Sequence, residues 1–181
     1  MSESNKILSM NASEETKPMG VLFVCLGNIC RSPLAKCIFE AKVQERNLTH
    51  CFYIDSCGTG GWHAGHDADS RSVAVAASHG LALVHTARQV RVARDIDFDF
   101  VIAMDRANRK DLMKLGFHAA SVHLMRQFDP AIAVASTHES DFDVPDPYYG
   151  GDSGFETVYS MLDDACDGLI SACLASRKLP S

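Results

Sequence analysis

Nothing in the sequence reads as a membrane anchor, a repeat array or a zinc ribbon. No apolar run reaches the length of a bilayer-spanning helix, and no self-similarity recurs at a solenoid period. No C-x-x-C pair occurs, which argues against zinc ribbons and thioredoxin-like redox sites. Excess positive charge is missing too: 17 Lys and Arg stand against 23 Asp and Glu, for a formal net charge of −6. That balance argues against broad nucleic-acid binding, yet permits a local anion site made of backbone N–H groups and one arginine. The opening stretch MSESNKILSMNASEETKP lacks the apolar core of a secretory signal. It reads as a disordered leader, 1–18, ahead of a single domain, 19–181.

Cysteine is present but does not form a disulfide framework. Seven cysteines stand at 25, 30, 37, 51, 57, 166 and 173, an odd count at irregular spacing. Free thiols in a reducing cytoplasm are the expectation. Cys166 and Cys173, seven residues apart on an expected helix, suit the core.

Strand and helix patterns alternate along the chain. Residues 21–25 (VLFVC) form a continuous apolar run, as in a strand buried on both faces. A helix is expected over 33–46, with Ser32 as its N-cap, Pro33 at its first position and Leu34, Ile38 and Ala41 facing the core. Further strands are expected over 51–56, 98–104 and 121–125. Helices are expected over 70–79 and 105–115, closed by Gly80 and Gly116, and from Ser153, where Ser153-x-x-Glu156 fits a capping box. Residues 126–152 read as one long loop. The fold class is therefore α/β: a four-stranded parallel sheet flanked by helices on both faces, a flavodoxin-like three-layer sandwich. In such folds the site lies at the carboxyl ends of the strands, where Cys25, Ser56 and Asp105 fall.

Residues 25–33 read CLGNICRSP. C-x5-R spacing alone is weak, since chance produces it readily. Its context is stronger. The cysteine ends a buried strand, Gly27 and Asn28 tolerate positive φ, and Ser-Pro opens a helix whose positive end faces the same place. N–H donors, a helix N-terminus and Arg31 would together stabilise a thiolate and hold a dianion landing on it. That points to phosphoryl transfer through cysteine. A proton donor for the leaving group is also needed, and Asp146, stiffened by Pro145 and Pro147, is the best candidate.

Together these motifs resemble the phosphate loop and general-acid loop (Asp146-Pro147-Tyr148-Tyr149) of low-molecular-weight protein tyrosine phosphatases. The resemblance covers about 20–175. It includes Asp55-Ser56, Gly58-Thr59, Trp62-His63, His85-x-Ala87-Arg88-Gln89 and Ala103-Met104-Asp105. It implies a phosphotyrosine phosphatase that also cleaves small aryl phosphates, with Cys25 as nucleophile, Arg31 and the N–H groups of Leu26, Gly27, Asn28, Ile29, Cys30, Arg31 and Ser32 as the phosphate cradle, and Asp146 as acid and then base. It further implies that the Ser32 hydroxyl assists the thiolate, that Ser56 and His85 support Asn28, and that Trp62, Tyr148 and Tyr149 flank an aromatic ring. Trp62 taken alone reads equally as core; the resemblance puts it at the rim. Cys30 either fills space or traps an oxidised Cys25 as a reversible disulfide. Phosphotyrosine proteins are the expected partners, with neither nucleic acid nor membrane. No cofactor or metal is implied, His63 and His66 matching no familiar ligand spacing, and a monomer is expected.

Three rival functions are weighed. Arsenate reductase would need resolving cysteines mid-chain, and none lies between 58 and 165, leaving Cys30 and Cys57. A protein arginine phosphatase tends to carry threonine where Ile29 stands, and isoleucine there favours a flat phenyl ring over a guanidinium. A non-catalytic phosphate-binding module would not need Cys25, Arg31 and Asp146 together. Two departures from the family pattern bear on the pocket rim: Cys57 stands where a small residue is usual, placing a second thiol near the site, and the 65–71 segment lacks prolines.

Overall fold

Strand β1 (Met19–Cys25) is apolar throughout because both of its faces are covered. Val21, Phe23 and Cys25 enter one core, while Leu22 and Val24 enter a second on the opposite side of the sheet. The computed structural model describes residues 17–177, so most of the expected leader lies outside the described residues. Four parallel strands pair in the order β2 (Phe52–Gly58), β1, β3 (Phe100–Ala103), β4 (Val122–Leu124). The first core is closed by α1 (Arg31–Glu45), α2 (Ser70–Ser78) and α6 (Asp152–Ser176). The second lies under α4 (Arg106–Lys114), with the short α3 (Val92–Asp95) at its margin. This is the expected three-layer α/β arrangement. The chain leaves β1 for β2 on one side and then returns to β3 on the other, so the carboxyl ends of β1 and β3 form a topological switch point.

Helix ends follow local chemistry. Asp69 caps α2 by accepting the Arg71 N–H at 2.9 Å, and Asp105 caps α4 by accepting that of Asn108 at 2.7 Å. Gly80 and Gly116 stand at φ +77° and +96°, closing those helices where the pattern expects. Along α6, Phe155, Val158, Leu162, Ala165 and Leu169 are buried, and so are Cys166 and Cys173. Phe39 stacks edge-on between Phe23 and Phe52, at centroid distances of 5.5 and 5.3 Å.

Several expectations are corrected. α1 begins at Arg31, not Pro33, with Cys30 at the N-cap and no side-chain cap. Ser32 is therefore inside the helix, its hydroxyl turned toward Cys25 rather than toward the helix backbone. Phe39 and Val43 join Leu34 and Ile38 on its buried face, whereas Ala41 is only half-buried. Cys51 belongs to a 3-10 turn (Thr49–Cys51), and the strand continues to Gly58. Strand β3 omits Phe98, which packs beneath the second core. Segment 126–152 is not one loop: it holds 3-10 turns and a helix α5 (Pro130–Ala135), started by Asp129, which accepts the Ala131 N–H at 3.0 Å. The capping box at Ser153 does not form, because α6 starts one residue earlier with Gly151 at its N-cap.

Candidate active site

β1 ends at Cys25, a buried residue, and 26–30 connect it to the start of α1. The loop can close tightly because Gly58 lies beneath it: a Cβ there would meet the Leu26 oxygen at 2.7 Å. At the turn, Asn28 adopts φ +57°, a left-handed conformation that asparagine tolerates better than most residues. Its backbone N–H points at the Cys25 Sγ, 3.2 Å away, and the Ser32 Oγ is 3.0 Å from the same sulfur.

Asn28 is fully buried and fully used. Its Nδ2 donates to the Ser32 Oγ (2.9 Å) and to the Ser56 Oγ (3.1 Å). Its Oδ1 accepts the Arg88 backbone N–H at 2.9 Å. His85 Nε2 lies 2.8 Å from the Asn28 carbonyl and 3.2 Å from its Oδ1, which makes that nitrogen the donor. Burial pushes the His85 pKa below its ordinary value, more than the Asn28 contact raises it. Arg88 is itself anchored, donating at 2.9 and 3.0 Å to the fully buried Asp95 and at 2.9 Å to Asp55. Ser56 and His85 thus stand beside Asn28.

Arg31 is buried under the cleft. It donates to Asp105 (2.6 Å), to the Val144 carbonyl (3.0 Å) and to Asp146 (2.7 Å). Burial opposes its charge, but Cys25, Asp146 and Asp105 outweigh that and raise its pKa. The other Asp146 oxygen accepts the Tyr148 N–H at 3.1 Å. Burial first, then Asp69, Cys25 and Asp146, push the Cys30 thiol up to about 12. Cys25, Arg31 and Asp146 line one open cleft, together with Leu26, Gly27, Ile29, Cys30, Tyr148, Tyr149 and Trp62. Trp62 is 63% exposed and Tyr149 93%, so the ambiguity over the tryptophan resolves to the rim.

The family model for low molecular weight phosphotyrosine protein phosphatase matches residues 20–179. The chain belongs to that family. A low molecular weight protein-tyrosine-phosphatase of Streptomyces coelicolor is 46% identical over 155 residues, covering 84% of this chain and 92% of the relative. The solved structure of a protein tyrosine phosphatase from Entamoeba histolytica, with Hepes in its active site, aligns at TM-score 0.78 and 36% identity, over 88% of this chain and 99% of that one. A drosophila arginine phosphatase aligns at TM-score 0.75 and 29% identity, over 85% and 97%.

Within this low-molecular-weight phosphatase fold, Cys57 does not supply the second thiol suggested by its place in the sequence. It lies in the second core, across the sheet from Cys25, and burial pushes its thiol far above the ordinary range. Its contribution is a carbonyl, which accepts from the Ser32 Oγ at 3.3 Å. His63 and His66 stand with their Nδ1 atoms 3.4 Å apart, and His63 lines the cleft. Among the described residues, no group of three or more His, Cys, Asp or Glu is placed to hold a metal ion, and no helix is long and apolar enough to cross a membrane. Sequence reasoning missed the Asp105 contact to Arg31, the Arg88 anchor and the rim position of His63. The signal for Asp105 was its position just past β3; for the other two it was their place in the stretches Trp62-His63 and His85-x-Ala87-Arg88-Gln89.

Proposed function

We propose that this chain hydrolyses phosphotyrosine through a phosphocysteine on Cys25, with Arg31 binding the phosphoryl group and Asp146 moving the proton. One observation carries the reading: the sulfur ending the central strand, a buried guanidinium and a rim carboxylate line a single cleft. The Cys25 thiolate attacks phosphorus in line, forming an S–P bond as the P–O bond to the phenol breaks. Asp146, entering as a carboxylic acid, gives its proton to the departing oxygen. Water then attacks phosphorus, the Asp146 carboxylate takes a proton from it, the S–P bond breaks, and inorganic phosphate leaves with the thiolate restored. The loop N–H groups and Arg31 hold the phosphoryl oxygens by charge-assisted hydrogen bonds. The Ser32 hydroxyl, 3.0 Å from the sulfur, turns its one proton from the Cys57 carbonyl to the thiolate and so stabilises it as nucleophile and as leaving group. No step needs a metal or cofactor.

Ile29 and the exposed aromatic side chains of Trp62, Tyr148 and Tyr149 give the cleft apolar walls suited to a phenyl ring. The arginine phosphatase relative makes phosphoarginine the necessary control. We also place the enzyme in a reducing cytoplasm, a reading supported by seven free cysteines. Under peroxide the Cys25 thiolate becomes a sulfenic acid with release of hydroxide. The Cys30 thiol then attacks that sulfur, forming a disulfide and water.

Phosphate release from phosphotyrosine, phosphoarginine and phosphoserine peptides tests the reading, with EDTA present. Activity should favour phosphotyrosine, vanish in Cys25→Ser and fall about 10²- to 10⁴-fold in Asp146→Ala. Preference for phosphoarginine would overturn the substrate, and a folded, reduced, inactive enzyme would overturn the reaction. Peroxide inactivation should be reversed by dithiothreitol in wild type and become permanent in Cys30→Ser; identical behaviour of the two would remove the disulfide.

A further inference from the structure

Asp146 is held on its two flanks by different means. On the N-terminal flank, the Val144 N–H donates to the Met104 carbonyl at the end of β3 (2.7 Å), and Arg106 pairs with Asp143 at 3.0 Å. Beyond Asp146 the chain turns back on itself, the Gly150 N–H donating to the Pro147 carbonyl at 3.0 Å. Among the described residues, the side chain that reaches this turn from another element by hydrogen bonding is Arg71, near the start of α2. Its guanidinium donates to the carbonyls of Tyr148 (3.1 Å) and Gly150 (3.3 Å). The same group grips Asp69 at 3.0 and 2.9 Å and lies over the buried Phe155 ring, 4.5 Å from the centroid. Asp69 in turn donates its backbone N–H to the Ile29 carbonyl at 2.8 Å, inside the phosphate loop. One cation therefore ties the acid-bearing turn to the loop that holds the phosphate.

We propose that Arg71 is the positioning residue of the general acid, fixing Asp146 through the backbone of its C-terminal flank. The proposal rests on the phosphatase reading above. Its logic follows from the charge that Asp146 must carry. The ion pair with Arg31 orients Asp146 only while it is a carboxylate and the guanidinium is not occupied by phosphate. To protonate a leaving group, Asp146 has to be neutral, with Arg31 engaged by the phosphoryl oxygens. The tether from Arg71 reaches backbone carbonyls, so it is indifferent to both changes. It holds the carboxyl oxygen in place while the O–H proton passes to the phenol oxygen, the P–O bond breaks and the S–P bond forms. Misplacement of a catalytic group by about 1 Å can cost 10²-fold.

The test is leaving-group dependence. A nitrophenolate departs without protonation far more easily than a tyrosyl phenolate, so only the second substrate depends heavily on the acid. In Arg71→Met, which keeps the stem over Phe155, kcat/KM for a phosphotyrosine peptide should fall at least about tenfold. For p-nitrophenyl phosphate the fall should be under about threefold, and competitive inhibition by inorganic phosphate should be unchanged. Arg71→Lys should recover part of the peptide activity. In an Asp146→Ala background, Arg71→Met should cost little more, because the two residues act as one unit. Equal losses on both substrates, full additivity with Asp146→Ala, or no loss at all would each overturn the proposal. Wild-type activity that survives Cys25→Ser would instead overturn the reading beneath it.

Discussion

Replacing Asn28 probes how the phosphate loop is kept in shape. The side chain makes two donations and two acceptances without any solvent contact, at φ +57°. Asn28→Ala does not remove all of this. His85 retains the Asn28 carbonyl at 2.8 Å, and the Ser32 hydroxyl retains the Cys57 carbonyl at 3.3 Å. What goes is a pair of hydrogen bonds from Nδ2, about 1 kcal/mol each, and the acceptor for the part-buried Arg88 N–H, whose orphaning costs about 1–3 kcal/mol. Left-handed backbone adds about 1 kcal/mol for alanine, which lacks the local polar contacts that let asparagine adopt it. The total is about 4–6 kcal/mol if the terms add, and rather less if the loop relaxes. For a domain of this size, each kcal/mol moves Tm by about 2–4 °C. Calorimetry should therefore find Asn28→Ala melting roughly 10–20 °C below wild type. Asn28→Gly, with the same hydrogen bonds lost but no backbone penalty, should recover about 1 kcal/mol of this. A Tm for Asn28→Ala within 2–3 °C of wild type (about 1 kcal/mol), or a glycine variant less stable than the alanine one, would refute the accounting.

Gly58→Ala should have a different signature. Its new methyl meets backbone on both sides, the Leu26 oxygen at 2.7 Å and the Asn28 nitrogen at 3.1 Å, so the phosphate loop itself must shift. A rise in the inhibition constant of inorganic phosphate of about tenfold or more, equivalent to roughly 1.4 kcal/mol, is expected; an unchanged constant would mean the loop yields without distortion. His85 supplies a pH dependence. Its folded pKa is lowered, chiefly by burial and further by Lys36 and Arg88, so the unfolded chain binds the proton more readily. Stability is then full above the unfolded value of about 6.5 and declines as pH falls below it. Denaturant titrations between pH 7.5 and 5, about one unit above and more than one below that value, should show this decline flattened in His85→Gln; parallel curves for the two proteins would assign it elsewhere.

The sheet and the cleft cysteine were legible because each has a local signature. VLFVC declares a strand covered on both faces, and strand-Cys-Gly-Asn-helix brings sulfur, left-handed turn and arginine together within seven residues. Asp146, which lines the cleft, stood out in the sequence through its flanking prolines. What the sequence concealed depends on approach in space. Asp105 reaches Arg31 across 74 positions, and Arg71 reaches Tyr148 across 77. Ser32 looked like an N-cap because that is the usual place for Ser before Pro, yet the sulfur claimed its hydroxyl. Cys57 looked close to the site because β1 and β2 run side by side, Val24 facing Cys57 in register, but strand pleating sends its thiol to the opposite face from that of Cys25. Asp129 started a helix in 126–152 that lacked enough apolar pattern to announce itself: α5 has no buried residue.

Arg31 already holds two carboxylates before any substrate arrives. In the proposed reaction, phosphate capture is therefore an exchange of anions rather than the filling of a bare cation. The carboxylate that yields, Asp146, stays attached to the same chain and competes at a high effective concentration. Such a resident competitor sets a threshold. A dianion held also by the loop N–H groups can meet it, while a weakly charged ester cannot. It works equally in reverse: once hydrolysis is complete and Asp146 is free to ionise, the guanidinium has a partner ready to take it back. On the proposed mechanism the chain carries its own eluent for inorganic phosphate, and turnover need not wait on a product that a buried, unaccompanied arginine would be slow to surrender.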